Sequence, residues 1–168
     1  MQTESSTFDA DLIRRYDVSG PRYTSYPTAN LMREDLGIHA YQSAMAKLAH
    51  LPRPSLSVYV HVPFCATICY YCALNKIVTA NRRHASDYLD RLLGEVTLAA
   101  ASLPPDHRVE QLHFGGGTPT YLDDDQLSRV FEALHRSFSF VDASADGDAE
   151  RDFSIEIDPR TVDAERMR

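Results

Sequence analysis

A chain of 168 residues is the size of roughly one domain, long enough to bury about 70% of its extended surface. With 43% hydrophobic and 24% charged residues it is neither collagen-like, mucin-like nor wholly disordered. The 17 Lys and Arg against 24 Asp and Glu give a formal charge of −7, which disfavours general nucleic-acid binding, since attraction to phosphates needs a basic face.

The opening Met1-Gln2-Thr3-Glu4-Ser5-Ser6 has neither the positive start nor the apolar run of an export signal, and no stretch approaches the ~18 apolar residues of a spanning helix. A cytoplasmic protein without a membrane span is expected. Residues 1–30 carry turn formers and tyrosines without a sustained period and read as an extended arm. Over residues 38–49 the spacing of Ile38, Tyr41, Met45 and Leu48 predicts a short helix, ended by Pro52 and Pro54. Residues 56–62, β-branched and aromatic, predict the first strand, which Pro63 stops.

Ser86 is a candidate cap for a helix carrying Leu89, Leu92, Leu93, Val96 and Ala100 at helical spacing, closed by Pro104-Pro105. A second strand over residues 109–114 runs into Gly115-Gly116-Gly117-Thr118-Pro119. The acidic Asp123-Asp124-Asp125 suits the positive end of a further helix, whose stripe of Leu127, Val130, Phe131, Leu134 and Phe138 reads as core. Residues 142–152 read as a solvated loop, and residues 153–158 as a third strand before Pro159.

Strand, helix, strand, helix, strand argues for an α/β fold of parallel strands with helical crossovers, in which ligands gather beyond the carboxyl ends of the strands. The cysteine loop, the glycine loop and Glu156-Ile157-Asp158-Pro159 each follow a strand, so all three should meet on one edge. Three strands cannot close a barrel. Residues 1–54 are therefore read as an arm and short helix, and residues 55–168 as the first part of a larger layered domain, incomplete at its carboxyl end.

The three cysteines, Cys65, Cys69 and Cys72, have the pattern C-x3-C-x2-C, an odd number too closely spaced for a disulfide framework. Three readings follow from the residues. The thiols are buried small apolar groups, or they bind zinc with His61 as fourth ligand, or they hold three irons of a cluster that normally takes four cysteines and so leave one iron open. An open metal position is where a small ligand binds directly.

The cysteine motif, with an aromatic before its last member, resembles that of the radical S-adenosylmethionine (SAM) enzymes. Such a resemblance implies a partial (β/α) barrel, a 4Fe-4S cluster whose unique iron is chelated by SAM, and a 5′-deoxyadenosyl radical that abstracts hydrogen from substrate. Gly20-Pro21-Arg22-Tyr23-Thr24-Ser25-Tyr26-Pro27-Thr28-Ala29, Tyr59-Val60-His61-Val62-Pro63-Phe64-Cys65, Asn75-Lys76-Ile77-Val78, His113-Phe114-Gly115-Gly116-Gly117-Thr118-Pro119-Thr120 and Ile155-Glu156-Ile157-Asp158-Pro159-Arg160 narrow the likeness. Together they resemble the amino-terminal part of the oxygen-independent coproporphyrinogen III dehydrogenases, also called oxidases. Related haem chaperones share these motifs but generally lack the arm.

This likeness implies oxidative decarboxylation of two coproporphyrinogen III propionates to vinyls, giving protoporphyrinogen IX in haem synthesis, with a one-electron donor and acceptor as partners and a monomer as the full-length form. Cys65, Cys69 and Cys72 would ligate iron as thiolates. Tyr59 would lie near the SAM methionyl group and Tyr71 on the adenine side. Gly116, Gly117 and Thr118 would receive the SAM ammonium, because residues without a Cβ let the backbone come close. Glu156, which alternates with Ile155 and Ile157, would also contact SAM. Plain packing roles stand beside each of these, and for His61 and Arg22 as well; no catalytic residue is singled out. The run Cys72-Ala73-Leu74 departs from the family, which usually has a further cysteine at the Leu74 position. That departure leaves iron binding intact and bears on turnover, and the short chain alone is expected not to complete the reaction. The alternative in another class is a non-catalytic cluster- or haem-binding module derived from the family.

Overall fold

The computed structural model of the chain describes residues 9–17, 28–48, 50–70, 72, 74–142 and 151–167. It comprises two compact units, Met1–Gly37 and Ile38–Arg168. In the first, helix α1 (Ala10–Tyr16) is capped by Asp9, whose carboxylate accepts from the backbone of Asp11 and Leu12, both at 2.9 Å. A helix there corrects the reading of residues 1–30 as an extended arm. It is two turns long, too short for a hydrophobic period to register, and the Asp9 cap is its main sequence signal. The motif of residues 20–27, with Arg22, lies outside the described residues.

The second unit opens with α2 (Ile38–Leu48), none of whose residues is buried. Strands β1 (Ser55–Val62), β4 (Arg108–Gly116) and β5 (Asp152–Ile155) form an open, all-parallel sheet in the order β1-β4-β5. Tyr59 lies opposite His113, and His113 opposite Ser154. Helices α3 (Arg83–Ala101) and α4 (Asp124–Ser137) supply the crossovers and cover one face. Because strand side chains alternate, Val60 and Val62 of β1 and Leu112 and Phe114 of β4 share that face. There they form one buried core with Ala85, Leu89, Leu92 and Val96 of α3 and Val130, Ala133 and Leu134 of α4. The opposite face presents Tyr59 and His61, His113, and Ser154 followed by Glu156, a row of polar groups.

Two short strands not anticipated from the sequence, β2 (Phe64–Cys65) and β3 (Ile77–Val78), pair in parallel just past β1. Ile77 N–H donates to Pro63 O at 2.7 Å and Thr79 N–H to Cys65 O at 3.0 Å. These bonds tie together the two ends of the loop that carries Cys69 and Cys72. Two residues per strand give no period to read, which is why sequence patterning misses them.

Two boundaries also differ from expectation. Helix α3 starts at Arg83, one turn before Ser86, and its entry is held by Asn81, whose side chain accepts from Arg83 N–H at 3.2 Å. Ser86 is therefore a helix-interior residue and not the cap. Strand pairing of β5 stops at Ile155. Glu156 N–H still donates to Phe114 O at 2.9 Å, but Asp158 turns back on itself, its carbonyl accepting from Thr161 N–H at 2.8 Å. By contrast α4 begins as its acidic run suggests, with a reciprocal capping box between Asp123 and Gln126.

Candidate cofactor site

The loops that follow β1, β4 and β5 wall a cavity of about 830 Å³. Cys65, Cys69 and Cys72 line it from the first loop, Gly116, Gly117 and Thr118 from the second, and Glu156 from the third. All three cysteines are free: Cys65 is buried on β2, Cys69 exposed and Cys72 half-buried. An exposed and a half-buried thiol do not fit the reading of three buried apolar groups. The zinc reading needs His61 beside the thiols. Instead its Nδ1 lies 3.1 Å from the Tyr59 hydroxyl and its Nε2 3.0 Å from Asn75 O. A carbonyl only accepts, so Nε2 carries the proton and Tyr59 donates to Nδ1.

Tetrahedral zinc holds thiolates at about 2.3 Å and so brings its sulfurs within ~4 Å of each other. Among the described residues no three His, Cys, Asp or Glu side chains are gathered as ligands of a single ion. A 4Fe-4S cluster, whose thiolates bind different irons, takes a wider donor set on a roomier wall, and three free thiols around an open cavity fit it.

The glycine turn supplies the second part of the fit. Gly116 has φ +110°, which side-chain-bearing residues rarely adopt, and Gly117 donates its N–H to Val62 O at 2.8 Å. A Cβ at Gly117 would sit 2.7 Å from the carbonyl oxygens of Pro63 and Phe64. The turn is therefore pressed against the entry to the cysteine loop, and next to it the Thr118 hydroxyl donates to Cys65 Sγ at 3.6 Å. The space a Cβ would take is thus filled by protein at both glycines, which line the cavity with backbone alone, a surface that suits an ammonium or other small polar group near main-chain carbonyls.

Glu156 is half exposed, its Oε1 3.5 Å from His113 Nε2, while His113 Nδ1 lies 2.8 Å from the Ser154 hydroxyl. Tyr59 does not reach the cavity wall. It stacks on His113 with ring centroids 5.7 Å apart, and its phenol is held above the usual tyrosine range by desolvation and then by the nearby Glu156 carboxylate. Tyr59 is 56% exposed, so it is not an inward core aromatic. Tyr71 lies outside the described residues.

Thr67, Lys76, Asp158 and Arg160 also line the cavity. Sequence reasoning did not single them out as site residues, although Lys76 and Asp158-Pro159-Arg160 stood in quoted motifs. Two of them form an ion pair: Arg160 Nε and Nη2 donate to the two carboxylate oxygens of Asp158 at 2.9 and 2.7 Å. The Arg160 guanidinium holds the Asp158 carboxyl below the usual carboxylate range. Charged neighbours two residues apart after a strand were the available signal.

A family model described as the radical SAM superfamily matches residues 59–168. The chain is 48% identical over 164 residues to an oxygen-independent coproporphyrinogen III oxidase of Pseudomonas aeruginosa, a match covering 95% of this chain and 34% of the relative. It is 43% identical over 152 residues to a protein of the same description from Mannheimia haemolytica, covering 90% of this chain and 97% of that one. Among solved structures it resembles the coproporphyrinogen III oxidase of Escherichia coli, described as a radical SAM enzyme, with a TM-score of 0.72 and 43% identity over 94% of this chain and 32% of the other. The chain thus spans about a third of the length of the Pseudomonas relative and of the Escherichia structure.

Proposed function

The chain belongs to the radical SAM superfamily and, within it, to the oxygen-independent coproporphyrinogen III oxidases, and on that premise we propose that it carries the cluster- and SAM-binding part of an enzyme that oxidatively decarboxylates two coproporphyrinogen III propionates to vinyls. The supporting observation is the meeting of Cys65, Cys69 and Cys72 with the Gly116–Gly117 turn and Glu156 around one cavity.

Cys65, Cys69 and Cys72 would hold the cluster as thiolates. When bound, the cluster and SAM supply single-electron chemistry and abstraction of hydrogen from substrate. The protein's own part is placement. Gly116 and Gly117 offer backbone close to the cofactor's amino group, and Glu156 adds a carboxylate on the same side, attractive to an ammonium. Tyr59, held by His61 and His113, backs Glu156 from outside the cavity wall. Tyr71 is proposed for the adenine side. Leu74, half exposed on the cavity wall, puts an apolar side chain where the family resemblance leads one to expect a thiol. A cytoplasmic setting belongs to the same proposal, since closely spaced free thiols persist in a reducing compartment. A porphyrinogen and one-electron donors and acceptors are the proposed partners.

Anaerobic reconstitution with iron and sulfide tests the reading. Uptake of about four irons and four sulfides per chain is expected, with a paramagnetic signal on reduction that changes shape when SAM is added. A loaded cluster whose signal ignores SAM overturns the enzyme assignment and supports the non-catalytic module; stoichiometric zinc without sulfide overturns both.

A further inference from the structure

We propose that Arg160 is a positioning residue for the cysteine loop, oriented by Asp158 and anchored on Thr67; the proposal rests on Cys65, Cys69 and Cys72 being cluster ligands. Between its β2 and β3 ends, the described residues of this loop form no strand or helix. Residues 66–70 are all exposed, and the backbone hydrogen bond described within it is Cys72 N–H to Cys69 O at 3.2 Å. Thr67 stands midway between Cys65 and Cys69. Its hydroxyl oxygen accepts from Arg160 Nη2 at 3.2 Å, across 93 positions of sequence.

The direction of that reach is set. Asp158 takes Nε and Nη2 of Arg160 on its two oxygens and also accepts the Arg160 backbone N–H at 3.0 Å. Its side chain is only 19% exposed. A planar fork held at two points keeps its remaining N–H directions fixed, which a lysine ammonium on a flexible stem does not. Arg160 therefore links the segment after β5 to the stretch between the first two thiols, and so limits how far Cys69 can drift from Cys65.

A double-mutant cycle in the full chain tests the link, with Thr67→Val and Arg160→Gln. Thr67 is exposed and valine nearly isosteric, so that variant folds even if the arginine variant does not. The readout is the rate at which a chelator strips iron from the reconstituted protein, with the melting temperature of the cluster-free chain alongside. Each single variant is expected to lose iron about three- to tenfold faster, the scale of one ordinary solvent-exposed hydrogen bond. The double variant is expected to be no faster than the faster single one, and Thr67→Val to melt with the parent. Unchanged iron loss, multiplied effects in the double variant, or a Thr67→Val melting temperature that falls in step with its iron loss overturns the proposal; Arg160→Gln is expected to melt lower, because it also breaks the Asp158 pair. A parent chain that takes up no cluster overturns the cofactor reading, and this proposal with it.

Discussion

The hydroxyl of Thr118 donates to the sulfur of Cys65 at 3.6 Å, joining the turn after β4 to the loop after β1. A hydrogen bond to a cluster thiolate withdraws charge from the metal and raises its reduction potential. Thr118→Val is therefore expected to shift the reconstituted cluster to a more negative potential in an EPR-monitored redox titration. An unchanged potential would show the contact to have no electronic role.

Two glycines give opposite expectations for the same substitution. Gly117→Ala places a methyl 2.7 Å from the Pro63 and Phe64 carbonyl oxygens, which are backbone and cannot step aside. A loss of about 1–3 kcal/mol is expected in urea unfolding. Gly94, inside α3, has nothing within 4 Å of an added Cβ. Gly94→Ala is expected to gain about 0.5–1 kcal/mol from helix propensity alone. A stabilised Gly117→Ala would mean that the turn does not press on the cysteine loop.

Asp158 makes stability depend on acid. Its hydrogen bonds from Arg160 lower its pKa in the folded chain. A depressed carboxyl stabilises the fold at pH above its unfolded value of about 3.9, and that contribution fades as the pH falls through the lowered one. Asp158→Asn is thus expected to be less stable than the parent at pH 7 and to lose less between pH 5 and pH 2. Parallel stability curves in urea titrations would refute the assignment.

In the core, Leu89 is fully buried between α3 and the sheet, whereas Leu98 on the same helix is 73% exposed. Leu89→Ala is expected to cost about 2–5 kcal/mol and Leu98→Ala less than about 0.5 kcal/mol, measured by chemical denaturation. Similar losses at both positions would mean that α3 packs by another face.

Where side chains repeat over three or more turns, the sequence showed where the chain goes: most of the stripes of α3 and α4, and the aliphatic residues of β1 and β4, lie in or against the core as their spacing requires. Phe131, expected there, is instead 37% exposed at its edge with its ring 4.9 Å from that of Phe114. The meeting of the three strand-end loops was legible for a topological reason, because parallel strands with crossovers place every such loop on the same side. What escaped was short, set by a side-chain contact within one turn, or contingent on partners far away in sequence. The β2–β3 pair has no period. The helical start at Arg83 is held by the Asn81 side chain accepting from its N–H, and Asp158 lies past the strand's end in a turn whose carbonyl takes Thr161 and whose carboxylate takes Arg160. Arg160 reaching Thr67 is a relation over 93 positions, which local patterning does not encode.

Alternation along β1 puts Val60 and Val62 under the helices and Tyr59 and His61 on the polar side, within one strand of eight residues. Sliding that strand by one place against β4 would turn the whole arrangement inside out, driving a phenol and an imidazole into oil while stranding valines in water. The greasy half of the sheet thus acts as an alignment key for the reactive half. A single-residue deletion between Val58 and Val62 should therefore be more damaging than several point changes there, since it would misplace every chemical group downstream at once.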